Sequence, residues 1–247
     1  MHKIVTKGVV LRATETREAD YILTVLTDTH GKLPVIARGA RRRSSRLAAA
    51  CQLFAFSELV LCERGDWFYL DEAAVQEQFT GLREELERVA LGSYFAELCE
   101  TLTAENAPAP EVLSLLLNAL YALSQLKKPC EQVRAAFELK LLTLSGYEPL
   151  LSECAVCGAP SPSEPVLDVQ QGVLLCRRCA GLSGGHPLDE GALSAMRHIV
   201  RAPGKRMLSF SLAPPSQRLM NAACEAFVRT QLEKDFHTLA FYRLLLP

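Results

Sequence analysis

The spacing of apolar residues changes near residue 80, and this change limits the possible folds more than any other feature. Before it, short apolar runs rich in Val, Ile and Leu are separated by turn residues, a pattern typical of strands. After it, apolar residues recur at every third or fourth position, as they do on the buried face of a helix. The early runs cover residues 4–13, 21–27, 32–37, 52–62 and 67–73.

Five short strands in the first part of the chain predict a small closed barrel over residues 1–79. The OB-fold is the commonest barrel of this size that binds oligonucleotides. The gap between the third and fourth runs is the longest, and it could hold a helical turn. The expected class is therefore α+β, with an N-terminal five-stranded OB-fold barrel followed by an all-helical domain.

The predicted helical domain covers residues 80–247. Prolines and glycines divide its periodic segments, and the short connections favour a packed bundle. Residues 150–187 are rich in Gly and Pro and are predicted to be an irregular insertion. The periodic segments cover residues 82–102, 112–123, 133–144, 189–201 and 216–232.

Two Cys-x-x-Cys pairs lie in the insertion. Cys154 and Cys157 are followed, after eighteen residues, by Cys176 and Cys179. This spacing is typical of a zinc site in which each pair directs two thiolates at one ion. Four thiolates leave no open coordination position, so the sequence predicts a zinc finger with one structural Zn²⁺ and four cysteine ligands. Four free buried cysteines and a redox dithiol are the alternatives.

Positive charge is concentrated near the start of the chain. Residues 1–46 contain ten Lys or Arg and four Asp or Glu, whereas the whole chain has a net charge of −1. Five of the arginines fall between residues 38 and 46, a segment without acidic residues. Arginine suits bidentate contact with phosphate, and such contacts are independent of base sequence. The candidate nucleic-acid-binding cations are Lys7, Arg12, Arg17, Lys32, Arg38, Arg41, Arg42, Arg43 and Arg46.

Aromatic residues could supply stacking surfaces for unpaired bases. Phe54 and Phe56 are expected on one face of the fourth strand, and Trp67 and Tyr69 on one face of the fifth. One of these faces must fill the barrel core. Trp67, which follows a turn, is the candidate for base contact, and simple packing of its indole is the alternative.

A series of short segments resembles the RecO family of bacterial recombination mediators. The segments run from Gly8–Arg12, Glu18–Leu23 and Thr27–Leu33 through Ala37–Arg41 and Ser45–Leu47 to Gly146–Pro149, directly before the first cysteine pair. The resemblance implies an OB-fold, a helical domain and, in many members, a zinc site. By the motif match, it also implies DNA-binding roles for Arg12, Lys32, Arg38, Arg41 and Arg46, and Arg42 and Arg43 extend this patch.

The same resemblance implies a function and partners. RecO-like proteins bind single- and double-stranded DNA, anneal complementary strands and act with the ring-forming protein RecR. They also contact single-strand-binding protein and help to load the RecA recombinase. We therefore expect a DNA repair and recombination mediator that is cytoplasmic and associated with the nucleoid, because the sequence shows neither an export signal nor a membrane-spanning segment.

Two other functions are consistent with parts of the sequence. An RNA-binding module could also combine an OB-fold with a zinc ribbon. A zinc-dependent nuclease would need clustered carboxylates or histidines around an open metal position, and the five histidines are scattered. The sequence contains no Gly-rich nucleotide-binding loop of the P-loop type. We expect a protein without catalytic activity of its own.

Overall fold

A computed structural model describes residues 3–65, 67–181 and 185–246. Its first five strands form a closed barrel in the order β1-β2-β3-β5-β4, with β1 also paired to β4 and with β3 and β5 parallel. The predicted OB-like barrel is confirmed. The strands are β1 (Lys3–Thr16), β2 (Asp20–Thr27), β3 (Gly31–Ala37), β4 (Phe56–Arg64) and β5 (Trp67–Glu77).

Alternation along the strands explains how the barrel closes on its core. In β3, the side chains of Leu33, Val35 and Ala37 are buried in the barrel core. Lys32 and Ile36 alternate with them and are only partly buried. A shift of one residue in the strand register would exchange the two faces, so the apolar pattern fixes the register.

The segment before β4 differs from the expectation. The fourth strand begins at Phe56 and not at residue 52, and residues 38–55 form turns without an assigned helix. Phe54 lies in this loop with a φ of 66° and is 5% exposed. Its side chain is buried in the protein, so Phe54 and Phe56 do not share a strand face as predicted.

Helices α1 (Leu86–Leu102) and α2 (Pro110–Ser124) follow a 3-10 turn at Thr80–Glu84. The contacts within the chain define two compact units, and residues 1–125 belong to the first together with residues 238–247. The contacts therefore place α1 and α2 in the same unit as the barrel. The domain boundary that we predict at residue 79 stays a prediction, because the two compact units describe contacts and do not test domain boundaries.

The second unit comprises residues 126–237. It is built from α3 (Cys130–Leu144), α4 (Arg177–Ala180), α5 (Glu190–Arg201) and α6 (Pro214–Leu232), and α3 packs against α5 and α6. The insertion is not irregular throughout. It holds a three-stranded antiparallel sheet in the order β7-β6-β8, formed by β6 (Pro165–Asp168), β7 (Val173–Cys176) and β8 (His186–Pro187).

Helix α7 (His237–Leu244) was not predicted from the sequence. Its residues from Thr238 onward belong to the first unit. The Thr238 hydroxyl donates a hydrogen bond to Glu97 of α1, and Tyr242 is 1% exposed. Within the described residues, no helix combines the length and apolarity needed to span a bilayer.

Candidate nucleic-acid interface and metal centre

The arginine-rich segment after β3 is an ordered loop. Its backbone is fixed to the β1–β2 hairpin, since Gly39 N donates to Asp20 Oδ1 over 2.7 Å and Arg41 N donates to the Ala19 carbonyl over 3.0 Å. Gly39 has a φ of 63°, which permits the turn. Ala40 is 1% exposed and anchors the loop in the barrel core. The loop therefore presents its remaining side chains from a fixed backbone.

Three loop arginines are available to a ligand. Arg42, Arg43 and Arg46 are exposed, and no described carboxylate lies within ion-pair distance of them. Arg17 is also exposed, in the β1–β2 turn against which the loop is held. Four cations thus share one end of the barrel.

Arg41 has a different environment. Its guanidinium is 2.5 Å from Glu15 Oε2, and its side chain is 29% exposed. It also lies 6.0 Å from the centroid of the Tyr21 ring. These contacts hold the loop to the hairpin and offset the positive charge of Arg41, so its geometry is that of a positioning residue.

The structure also separates Arg12 and Lys32 from the loop. The Arg12 guanidinium is 2.8 Å from Glu100 Oε1, and the Lys32 ammonium donates to the Glu100 carbonyl over 2.7 Å. Both cations therefore contact α1. The candidate cations predicted from the sequence therefore do not form one continuous set, because α1 supplies partners to Arg12 and Lys32 that the spacing of the strands could not reveal.

Lys7 lies at the opposite end of β2. Its carbonyl accepts a hydrogen bond from Asp28 N, beside the β2–β3 turn. At about 3.3 Å per residue, the strand separates this position from the arginine loop by roughly 20 Å. Lys7 is exposed, but the structure does not bring it to the same surface as Arg42 and Arg43.

A stacked cluster lies beside the loop on the outer face of β5. Arg38 and Arg64 lie 4.7 and 5.3 Å from the centroid of the Tyr69 ring. Trp67 is 40% exposed, whereas Phe68 packs against the barrel core. The predicted shared face of Trp67 and Tyr69 is therefore the outer one. Sequence reasoning did not select Arg64 and Tyr69 as site residues, although the alternation around Phe68 indicated this face.

The four predicted metal ligands converge in the second unit. The Sγ atoms of Cys154, Cys157, Cys176 and Cys179 lie within 4.8 Å of one another, and those of Cys157 and Cys176 are 3.9 Å apart. A tetrahedral ion with bonds of about 2.3 Å to sulfur separates its ligands by roughly 3.8 Å. The cluster therefore has the size required to hold one metal ion.

The local fold supplies this convergence. Cys154 and Cys157 lie on a turn in which Gly158 has a φ of 70° and donates to the Cys154 carbonyl over 2.9 Å. Cys176 ends β7 and Cys179 lies on α4. Pairing of β6 with β7 and a hydrogen bond from Ala155 N to the Leu174 carbonyl bring the two pairs together.

The local environment shifts the pKa values of three of the clustered thiols in different directions. Backbone N–H groups of Cys157, Cys176 and Val156 point at the Cys154 sulfur and lower its pKa to about 6, against the opposing effect of burial. The pKa of Cys176 is also lowered, mainly by the backbone N–H of Cys179. The pKa of Cys179 is raised to about 12, because its thiol proton is shared with neighbouring sulfur atoms. Four thiolates repel one another, and a cation would stabilise them together.

Arg197 of α5 anchors the chain around the cysteine cluster. Its guanidinium donates to the carbonyls of Leu151, Ser152 and Pro160 over 2.7, 2.9 and 2.8 Å. These carbonyls flank the first cysteine pair. Sequence reasoning missed this role, because arginine on an amphipathic helix is usually a solvated residue.

Comparison with known proteins covers almost the whole chain. Residues 1–79 match the family model "Recombination protein O N terminal", and residues 83–240 match "Recombination protein O C terminal". Similar proteins from Acetivibrio thermocellus and Anaeromyxobacter dehalogenans, each named DNA repair protein RecO, are 31% and 37% identical to this chain. These matches cover 99% of this chain and 98% of the first protein, and 91% of this chain and 90% of the second.

A third similar protein, the DNA repair protein RecO of Alkaliphilus metalliredigens, is 34% identical over 96% of this chain and 97% of its own length. The agreement extends across the barrel, the helices and the segment that holds the cysteine pairs. The resemblance expected from the short motifs is confirmed, and this chain belongs to the RecO family of DNA repair and recombination proteins.

Proposed function

We propose that the chain is a mediator of DNA repair by homologous recombination. It binds single- and double-stranded DNA and anneals complementary strands. Together with RecR, it helps to load the RecA recombinase onto strands coated by single-strand-binding protein. The observation that supports this proposal most is the ordered loop with three exposed arginines, Arg42, Arg43 and Arg46, at one end of an OB-like barrel.

Phosphate neutralisation accounts for the annealing step. Exposed guanidinium groups on a fixed backbone reduce the repulsion between two polyanionic strands and leave the bases free to pair. The exposed Trp67 ring on the outer face of β5 suits stacking on an unpaired base, and Tyr69 holds Arg38 and Arg64 on the same face. No covalent step is needed, so we propose that the chain has no catalytic activity of its own. We place this activity in the cytoplasm, at the nucleoid.

Strand annealing tests the proposal directly. The variant R42E/R43E changes two exposed arginines without an ion-pair partner among the described residues, and R218E/R229E applies the same change of charge to two exposed arginines of α6. We expect R42E/R43E to bind fluorescent single strands weakly and to lose annealing, while the control resembles the unaltered protein. Equal annealing by both variants at moderate salt would contradict the barrel site. Competition between matched DNA and RNA strands distinguishes a mediator from an RNA-binding module.

We further propose that the cysteine cluster holds one structural Zn²⁺. Zinc suits a tetrahedral set of four thiolates, and with all four positions filled by protein it stabilises the fold and leaves no site for hydrolysis. Metal analysis of the reduced protein should give about one zinc per chain. Cys176→Ser should lower this content strongly, whereas Cys130→Ser, in the same unit but outside the cluster, should not. A zinc content far below one in the unaltered protein would disprove the assignment.

A further inference from the structure

The second compact unit has a concave surface at the end of α5, separate from the cysteine cluster. The concavity has a volume of about 500 Å³ and lies between the last turns of α5 and the 3-10 turn at Gly204–Arg206. Its lining contains four basic residues and no acidic one. The lining residues are Ser194, Arg197, His198, Arg201, Ala202, Pro203 and Arg206.

The backbone around the concavity is held by hydrogen bonds. The Nε2 atom of His198 donates to the Arg206 carbonyl over 2.8 Å, and Arg206 N donates to the Pro203 carbonyl over 2.8 Å. Ala202 N caps α5 by donating to the His198 carbonyl over 2.8 Å. The positions of Arg201 and Arg206 therefore do not depend on contacts of their own side chains.

The charges of these two arginines are available to a ligand. Arg201 and Arg206 are exposed, and no carboxylate of the described residues lies within ion-pair distance of either. Lys205, next to Arg206, is exposed as well. Arg197 differs, because its guanidinium already donates to three carbonyls around the first cysteine pair.

Stabilisation of the helix end does not account for all of this charge. A cation in the last turn favours the negative end of a helix, and Arg201 has this position. The Lys140 ammonium, however, already donates to the Val200 carbonyl over 2.8 Å. Lys205 and Arg206 lie beyond α5, where they contribute little to the helix.

The acidic residues of the chain are not concentrated in the unit that holds the concavity. Residues 47–125 contain three Lys or Arg and thirteen Asp or Glu, so the acidity of the chain is concentrated there. Residues 126–237 contain thirteen basic and eleven acidic residues. The concavity therefore lies in a segment that does not share the net negative charge of the preceding one.

We propose that this concavity binds the phosphodiester backbone of a nucleic acid strand, as a second contact distinct from the arginine loop of the barrel. Two guanidinium groups can each bind a phosphate in bidentate geometry, and the Ser194 hydroxyl can donate to a phosphate oxygen. This inference rests on the proposed function, since it assumes that nucleic acid is the ligand of the chain. With this second contact, one protein chain could hold two segments of nucleic acid.

The salt dependence of binding tests the inference on the full chain. The variant R201Q/R206Q removes two charges but keeps the Arg206 carbonyl that orders the turn, and R218Q/R229Q is the matched control. We measure affinity for a fluorescent oligo-dT strand between 50 and 200 mM salt. The slope of log K against log salt is negative, and each lost phosphate contact brings it closer to zero by roughly 0.7, so R201Q/R206Q should make it shallower by about 1.4. Over this fourfold range of salt, the variant should lose about sevenfold less affinity than the unaltered protein.

Other outcomes separate this inference from the proposed function. If R201Q/R206Q and R218Q/R229Q have the same affinity and slope as the unaltered protein while R42E/R43E binds weakly, the second contact is overturned and the barrel site stands. If R201Q/R206Q makes the slope shallower while R42E/R43E does not, the second contact is supported and the barrel site fails. Unchanged DNA binding, with loss of binding to an oligo-glutamate peptide, would overturn the inference and identify an acidic protein segment as the partner.

Discussion

Two glycines with the same positive φ allow the packing of the segment after α1 against the β2–β3 turn to be tested. Gly31, at the start of β3, and Gly65, in the β4–β5 turn, both have a φ of 61°. A Cβ atom at Gly31 would lie 2.2 Å from the Ala107 carbonyl oxygen and 2.6 Å from that of Ala104. A Cβ atom at Gly65 would have nothing within 4 Å. The two positions therefore share a left-handed φ but differ in how closely other backbone atoms approach.

The expected loss of stability follows from these distances. Alanine in the left-handed region costs about 1–2 kcal/mol, and this applies to both Gly31→Ala and Gly65→Ala. At Gly31 the chain after α1 must also move, because both obstructing atoms belong to the backbone. Forcing extra atoms into a packed site costs about 1–3 kcal/mol. Gly31→Ala should therefore reduce the free energy of unfolding by about 1–3 kcal/mol more than Gly65→Ala does.

Trp67 makes this difference measurable. It is the only tryptophan of the chain and lies in β5, so its fluorescence reports on the unit that contains both glycines. Urea unfolding followed at Trp67 should give a lower midpoint for Gly31→Ala than for Gly65→Ala, with similar slopes. Equal midpoints would refute the packing of the segment after α1 over the β2–β3 turn.

Three further predictions concern the second unit. Arg134→Met removes a guanidinium 3.3 Å from the fully buried Glu138 carboxylate. In thermal unfolding, it should lower the free energy of unfolding by about 3–5 kcal/mol, because it leaves a buried charge without this partner. An unchanged midpoint would contradict this ion pair. Arg197→Gln removes hydrogen bonds to three carbonyls around the first cysteine pair. We therefore expect a chelator to extract the metal from this variant faster than from the unaltered protein. Equal extraction rates would show that the cysteine cluster does not depend on the Arg197 hydrogen bonds. Asp189→Ala removes the α5 cap to Ala192 N and should lower stability by about 1 kcal/mol, whereas Asp189→Asn should restore most of it.

Local spacing was sufficient to predict much of the fold. The alternation of Leu33, Val35 and Ala37 fixed the face of β3 that enters the barrel, because side chains on a strand alternate between two faces. The Cys-x-x-Cys spacing likewise predicted the cluster, since each pair depends on a single turn. The period of three to four residues located α5 and α6 to within two residues of their observed starts.

Interactions between distant residues were decided by the tertiary structure. The sequence placed Arg12, Lys32 and Arg41 in one basic set with Arg42 and Arg43, but it could not show that Glu100 and Glu15 would meet three of them. The cationic concavity likewise depends on the turn that brings Arg206 back beside α5. The residue types and their local periods determined the elements and the cysteine site, because these depend on neighbours along the chain. Which charges remain available to a ligand was decided only by folding, because an ion pair forms between side chains that the sequence separates by tens of residues.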